Sequence, residues 1–85
     1  MRPEDVIIVG AGPAGCAAAA QCRRLGLAPL LLERTGRAGG LVANAFCVEN
    51  YPGLPPTPGP RMGELLAEHL RRFAVAVVRR TVVSV

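Results

Sequence analysis

Val6-Ile7-Ile8-Val9-Gly10-Ala11-Gly12-Pro13-Ala14-Gly15 is the stretch that decides the fold of this 85-residue chain. Four β-branched residues in a row predict a short buried strand. The glycines at 10, 12 and 15 then predict a tight turn into a helix. Gly10 allows the turn, Gly12 brings the backbone close to a ligand, and Gly15 lets the helix sit close to the strand. The helix start would present free N–H groups and the positive end of its dipole, which suits a diphosphate.

Reading outward, an alanine-rich segment predicts a helix over 14–25, with Gly26 as its left-handed cap. Ala14, Ala17, Ala18, Gln21 and Leu25 mark one face at helical spacing and form the expected packing face. Pro29-Leu30-Leu31-Leu32-Glu33 predicts a second strand that closes on an acid. Glu33 lies 18 residues beyond Gly15. A carboxylate there can accept from both hydroxyls of a ribose and would repel a 2′-phosphate, so FAD or NAD is favoured over NADP. The alternative is a glycine turn in some other α/β protein, with Glu33 simply solvated.

Residues 35–60 are rich in glycine and proline, with Gly39-Gly40, Pro52-Gly53 and Pro55-Pro56-Thr57-Pro58-Gly59-Pro60. A loop of this length predicts ligand contact, with Phe46, Val48 and Tyr51 as apolar anchors. Pro60 predicts the first residue of a second helix, capped by Gly59. Met62, Leu66, Leu70 and Phe73 line one face of it. His69 falls along the same stripe and reads as a boundary residue. Residues 75–78 and 81–85 are rich in β-branched residues and predict strands. The fold class is therefore α/β, a partial Rossmann-like βαβ unit with parallel strands, part of a three-layer domain.

Composition narrows the function further. The net charge of +4 is carried by ten arginines and no lysine. Arg23-Arg24 and Arg71-Arg72 fall at predicted helix C-termini, where cations complement the dipole. No aromatic residue is interleaved with the pairs, so they read as solvated surface rather than a nucleic-acid face. Cys16, Cys22 and Cys47 form no CxxC, and the odd count points to a reducing, cytoplasmic setting. Cys16 and Cys22 read as small packing residues of the first helix. The apolar run from Val6 to Ala20 is too short for a bilayer span. Pro3-Glu4-Asp5 puts acids where a secretory leader needs cations. Eighty-five residues accommodate one small domain, not both a cofactor site and a substrate site, which predicts a piece of a larger fold.

The glycine turn, Glu33-Arg34, Gly39-Gly40-Leu41-Val42, Val48-Glu49-Asn50-Tyr51-Pro52-Gly53 and the helix opened by Gly59-Pro60 together resemble the thioredoxin reductase-like flavoproteins. The resemblance covers nearly the whole chain. It implies an FAD-binding domain interrupted by an NADPH-binding domain, with electrons passing from a nicotinamide through FAD to a redox partner. By that resemblance Gly10, Gly12, Pro13, Ala14 and Gly15 wrap the FAD pyrophosphate, and Glu33 holds the adenosine ribose beside Arg34. Gly39, Gly40 and Leu41 border the ribityl and pyrophosphate region, and Asn50 hydrogen-bonds near the flavin end.

Leu41-Val42 stand where the family often has Gln-Leu. The second nucleotide-binding motif, the redox CxxC and the C-terminal return of the FAD domain are not among these residues. The chain thus reads as the N-terminal part of the FAD domain, inactive alone and dimeric only in a complete protein. The alternative is a non-catalytic orphan dinucleotide-binding fragment. Glutathione reductase-like enzymes place a cysteine pair near Cys47, but Val42 occupies the place of its first member.

Overall fold

The computed structural model describes residues 4–85. The elements run β1 (Val6–Val9), α1 (Pro13–Arg24), β2 (Pro29–Glu33), a 3-10 turn (Gly40–Asn44), α2 (Gly59–Arg72) and β3 (Val77–Arg79). The three strands form one parallel sheet in the order β1-β2-β3. Val6 pairs with Pro29 and Val9 with Leu32, and Leu31 pairs with Val77. Asp5 anchors the first pairing, because its carboxylate accepts from the Ala28 amide at 2.8 Å while its own amide donates to the Ala28 carbonyl at 2.8 Å.

The period of two along the strands sorts their side chains onto two faces. Ile8, Leu31 and Val77 meet the helices, and Leu31 is fully buried in a cluster with Cys16, Ala19, Leu70 and Val75. Burying such a leucine contributes about 1.5–3 kcal/mol. On the opposite face Ile7 and Val9 are 63% and 54% exposed. The described residues therefore form two layers of the expected three: a sheet and one layer of helices.

The packing face of α1 is not the expected one. Cys16, Ala19 and Ala20 are buried, whereas Ala14, Ala17, Ala18, Gln21 and Leu25 are all exposed. An alanine-rich helix carries little apolar contrast around its circumference, so the close approach of Gly15 to β1 sets the rotation instead. A Cβ on Gly15 would overlap the Gly10 carbonyl. On α2 the expected stripe holds: Met62 and Leu70 are buried, with Leu66 and Phe73 packed beside them. His69 is exposed, its ring centroid 5.2 Å from that of Phe73. The helix begins one residue early, at Gly59, with Pro58 as cap. There is no room for a side chain at 59, where a Cβ would overlap the Ala45 carbonyl.

The long loop has structure of its own. Gly39 and Gly40, at φ +119° and +57°, turn the chain into the 3-10 segment. An isolated antiparallel bridge joins Val48 to Thr57 and closes residues 48–57 into a compact lobe. Val48 is half-buried, but Tyr51 is exposed, and Phe46 is 97% exposed and anchors nothing. The strand expected at 81–85 does not form. The Arg80 amide, donating to the Glu33 carbonyl at 3.1 Å, makes the last bond to β2. Val83 and Val85 are exposed beyond it, so their β-branched character finds no partner strand.

Both helices end in the same hydrogen-bonded motif. In α1 the amides of Gly26 and Leu27 donate to Arg23 and Cys22, with Gly26 left-handed at φ +78°. In α2 the amides of Ala74 and Val75 donate to Arg71 and Leu70, and Ala74 takes the left-handed position at φ +55°. An L-residue there costs about 1–2 kcal/mol, offset in glycine by roughly 0.5–1 kcal/mol of backbone entropy. The exposed Ala74→Gly substitution is expected to raise unfolding stability by about 0.5–1 kcal/mol, read from the urea midpoint at unchanged slope; a lowered midpoint would contradict this account of the cap.

Candidate dinucleotide site

The C-terminal ends of the three strands open on one cleft of about 1370 Å³. This is the end of a parallel sheet at which ligands are expected. Gly10, Glu33, Arg34, Gly40 and Leu41 lie in its walls. Gly12, Pro13, Ala14 and Gly15 follow Gly10 as the cap and first turn of α1, and Gly39 is tied to them by its amide, which donates to the Ala11 carbonyl at 2.7 Å. A Cβ on Gly40 would lie 3.5 Å from the Gly12 Cα, so the two glycine loops nearly touch. Asn50 is not gathered into this site. It is exposed within the lobe closed by Val48 and Thr57, and it lines no part of the cleft.

The start of α1 is built to meet an anion. No side chain caps it, and its first turn holds no acidic residue. Pro13 supplies the first helical position without an N–H, while the amides of Ala14 and Gly15 are among the donors that a first turn leaves unpaired. A Cβ on Gly12 would meet nothing within 4 Å. Packing therefore does not demand glycine at 12, and the space it leaves faces outward. This combination of open space, oriented amides and dipole suits a diphosphate.

Glu33 is tied to the same loop. Its Oε1 accepts from the Ala11 amide at 3.2 Å, and its Oε2 accepts from the Thr35 amide at 2.8 Å and the Thr35 hydroxyl at 3.0 Å. The reading of Glu33 as merely solvated is thereby replaced by a carboxylate with three protein donors. An ionised carboxylate offers about four acceptor positions, so one remains for a ligand hydroxyl and a second hydroxyl requires Thr35 to yield. The Thr35 amide, then the Ala11 amide, hold the Glu33 carboxyl below its ordinary range, against a smaller opposing effect of burial. Thr35 and Ala11 were not singled out in the sequence. The Glu33-x-Thr35 spacing was a legible signal for the first, since a hydroxyl two residues on closes such turns; nothing local marks the second.

A family model described as FAD dependent oxidoreductase matches residues 5–77. The chain belongs to this family. Thioredoxin reductase of Bacillus subtilis (strain 168) is 48% identical over 69 residues, which cover 81% of the chain and 22% of that protein. A subunit of the alkyl hydroperoxide reductase of Xanthomonas campestris pv. phaseoli is 40% identical over 78 residues, covering 87% of the chain and 14% of that polypeptide. Among solved structures, T. acidophilum thioredoxin reductase superposes with a TM-score of 0.80 at 38% identity, covering 92% of the chain and 25% of its own. The chain thus spans about a quarter or less of the proteins it matches. It is an FAD-binding segment of thioredoxin reductase-like type with a Rossmann-like fold. FAD is the cofactor of the family, and the uncapped α1 start and the space over Gly12 fit its diphosphate. Among the described residues no helix is long and apolar enough to cross a membrane, and no group of three or more His, Cys, Asp or Glu side chains could hold a metal.

The lowered Glu33 pKa predicts a pH dependence with a definite sign. A group whose folded-state pKa lies below its unfolded value stabilises fully above the unfolded value, about 4.3 for glutamate, and loses that contribution as pH falls through the folded value. Glu33→Gln is therefore expected to be less stable than wild type at neutral pH, with the gap closing as pH falls below the ordinary glutamate range. Urea unfolding of both proteins across that range measures it, and a pH-independent gap would refute the carboxylate's role.

Proposed function

We propose that this chain supplies the diphosphate and adenosine-ribose half of the FAD site in an NAD(P)H-dependent flavin oxidoreductase of thioredoxin reductase-like type. The observation that carries the reading is the uncapped start of α1, open over Gly12, with the Glu33 carboxylate hydrogen-bonded to the adjacent Ala11 amide. Backbone amides at Gly12, Ala14 and Gly15 would hold the diphosphate. Glu33 would accept from the ribose, with Arg34 at the cleft wall beside it. Gly39, Gly40 and Leu41 would border the middle of the cofactor. Asn50 would reach the flavin end only within a more complete site, since here it stands apart from the cleft.

Bound flavin supplies the hydride and electron chemistry. The residues of this chain bind and orient it, and no acid, base or nucleophile among them is needed for the reaction. We further read the chain as the N-terminal part of its FAD domain, with the nicotinamide domain and the rest of the FAD site provided by other residues. A redox partner of thioredoxin type, a homodimeric complete protein and a cytoplasmic setting follow from the same reading. The alternative, an orphan dinucleotide-binding fragment without turnover, shares the site but not the reaction.

Flavin binding tests the site directly. Titration of the chain with FAD, followed by flavin fluorescence, is expected to show saturable binding without steady NADPH oxidation by the chain alone. Gly12→Val should weaken FAD binding on the order of tenfold or more, because its side chain enters the ligand's space while clearing the protein. His69→Ala, on an exposed surface away from the cleft, should leave affinity unchanged. Equal losses in the two variants would refute the site assignment, and steady turnover with NADPH and an electron acceptor would contradict the inactivity of the chain alone.

A further inference from the structure

We propose that Cys16 is a positioning residue for the cofactor loop: its thiol, together with the Gly39 amide, clamps the Ala11 carbonyl and thereby aims the Gly12 N–H at the diphosphate. This rests on the FAD-site reading above. Ala11 is fully buried and serves as a hub. Its amide donates to Glu33 at 3.2 Å. Its carbonyl accepts from the Gly39 amide at 2.7 Å and from the Cys16 Sγ at 3.2 Å. One residue thus joins β2, the second glycine pair and α1.

The consequence for Gly12 follows from peptide geometry. The unit from Ala11 to Gly12 is planar and trans, so its C=O and N–H point in opposite directions. Two donors that hold the carbonyl inward therefore hold the Gly12 N–H outward. A Cβ at 12 meets no protein atom within 4 Å, so open space for a ligand adjoins this residue. A donor aimed before the ligand arrives does not have to be ordered on binding, and this pre-organisation strengthens affinity.

The sulfur is suited to the task. Cys16 is buried, and its desolvation raises the thiol pKa above the ordinary range. The proton therefore stays on sulfur, and the S–H can donate. Cys22 and Cys47, both half-buried, make no comparable contact among the hydrogen bonds of the described residues. The arrangement gives Cys16 a role beyond filling volume in the core cluster.

The test compares variants that keep or lose the donor. FAD affinity is measured by calorimetric titration of wild type, Cys16→Ala and Cys16→Ser, each first shown to unfold cooperatively in urea. Cys16→Ala is expected to raise the Kd on the order of threefold to tenfold. Cys16→Ser, which retains a hydrogen-bond donor, is expected to stay within about twofold of wild type. Should Cys16→Ala fail to fold, Cys16→Val fills the volume without a donor and takes its place. A second reading needs no ligand: the Gly12 and Gly39 amide resonances should shift in the donor-free variant and return toward wild type in Cys16→Ser. Unchanged affinity and resonances in the donor-free variant, or equal losses with alanine and serine, would overturn the positioning role while leaving the FAD site intact. Failure of wild type itself to bind FAD would overturn both.

Discussion

The close approach of α1 to β1 at Gly15 and Gly10 is the constraint on which the molecule depends. Any side chain at 15 would run into the Gly10 carbonyl. With none, the helix starts close to the end of the sheet, just after Gly10 at the cleft wall. The same contact sets the rotation of α1, burying Cys16, Ala19 and Ala20. It also brings the Cys16 thiol under the Ala11 carbonyl. The packing of α1 and the shape of the glycine loop are consequences of one steric fact, which is why the glycine cannot be exchanged without disturbing both.

Around that contact the site is assembled by backbone groups more than by side chains. The amides of Ala11, Thr35 and Gly39 hold the carboxylate and the two glycine loops in register. Backbone donors carry little conformational freedom once their elements are packed, so the loops they join are held rigidly. The arginine pairs at the ends of α1 and α2 belong to a different layer of the design. They sit in the last helical turns and complement the helix dipoles, as their positions in the sequence suggest.

One face of the sheet is left open among the described residues. Ile7 and Val9 lie bare on an edge strand, opposite a face where Leu31 is fully buried. Parallel sheets are normally covered on both faces. The short β3, ending at Arg79, and the unpaired residues 81–85 have the same character. Their β-branched side chains favour extended structure, but a strand needs a neighbour to take up its hydrogen bonds.

By itself the sequence determined the succession strand, glycine turn, helix, strand, the span of β2, the apolar stripe of α2 and the flavoprotein family. These are local signals, carried by period, by glycine and proline, and by short motifs whose residues lie close together in the chain. Tertiary structure alone decided the buried face of α1, the exposure of Phe46, the separation of Asn50 from the cleft and the bond between Glu33 and the Ala11 amide. The bond from Ala11 to Glu33 joins residues 22 apart in sequence, and the buried face of α1 follows from how Gly15 meets the Gly10 carbonyl rather than from any apolar periodicity. An alanine-rich helix has no strong preferred face, and a carboxylate has no intrinsic partner, until the packing of other elements supplies one.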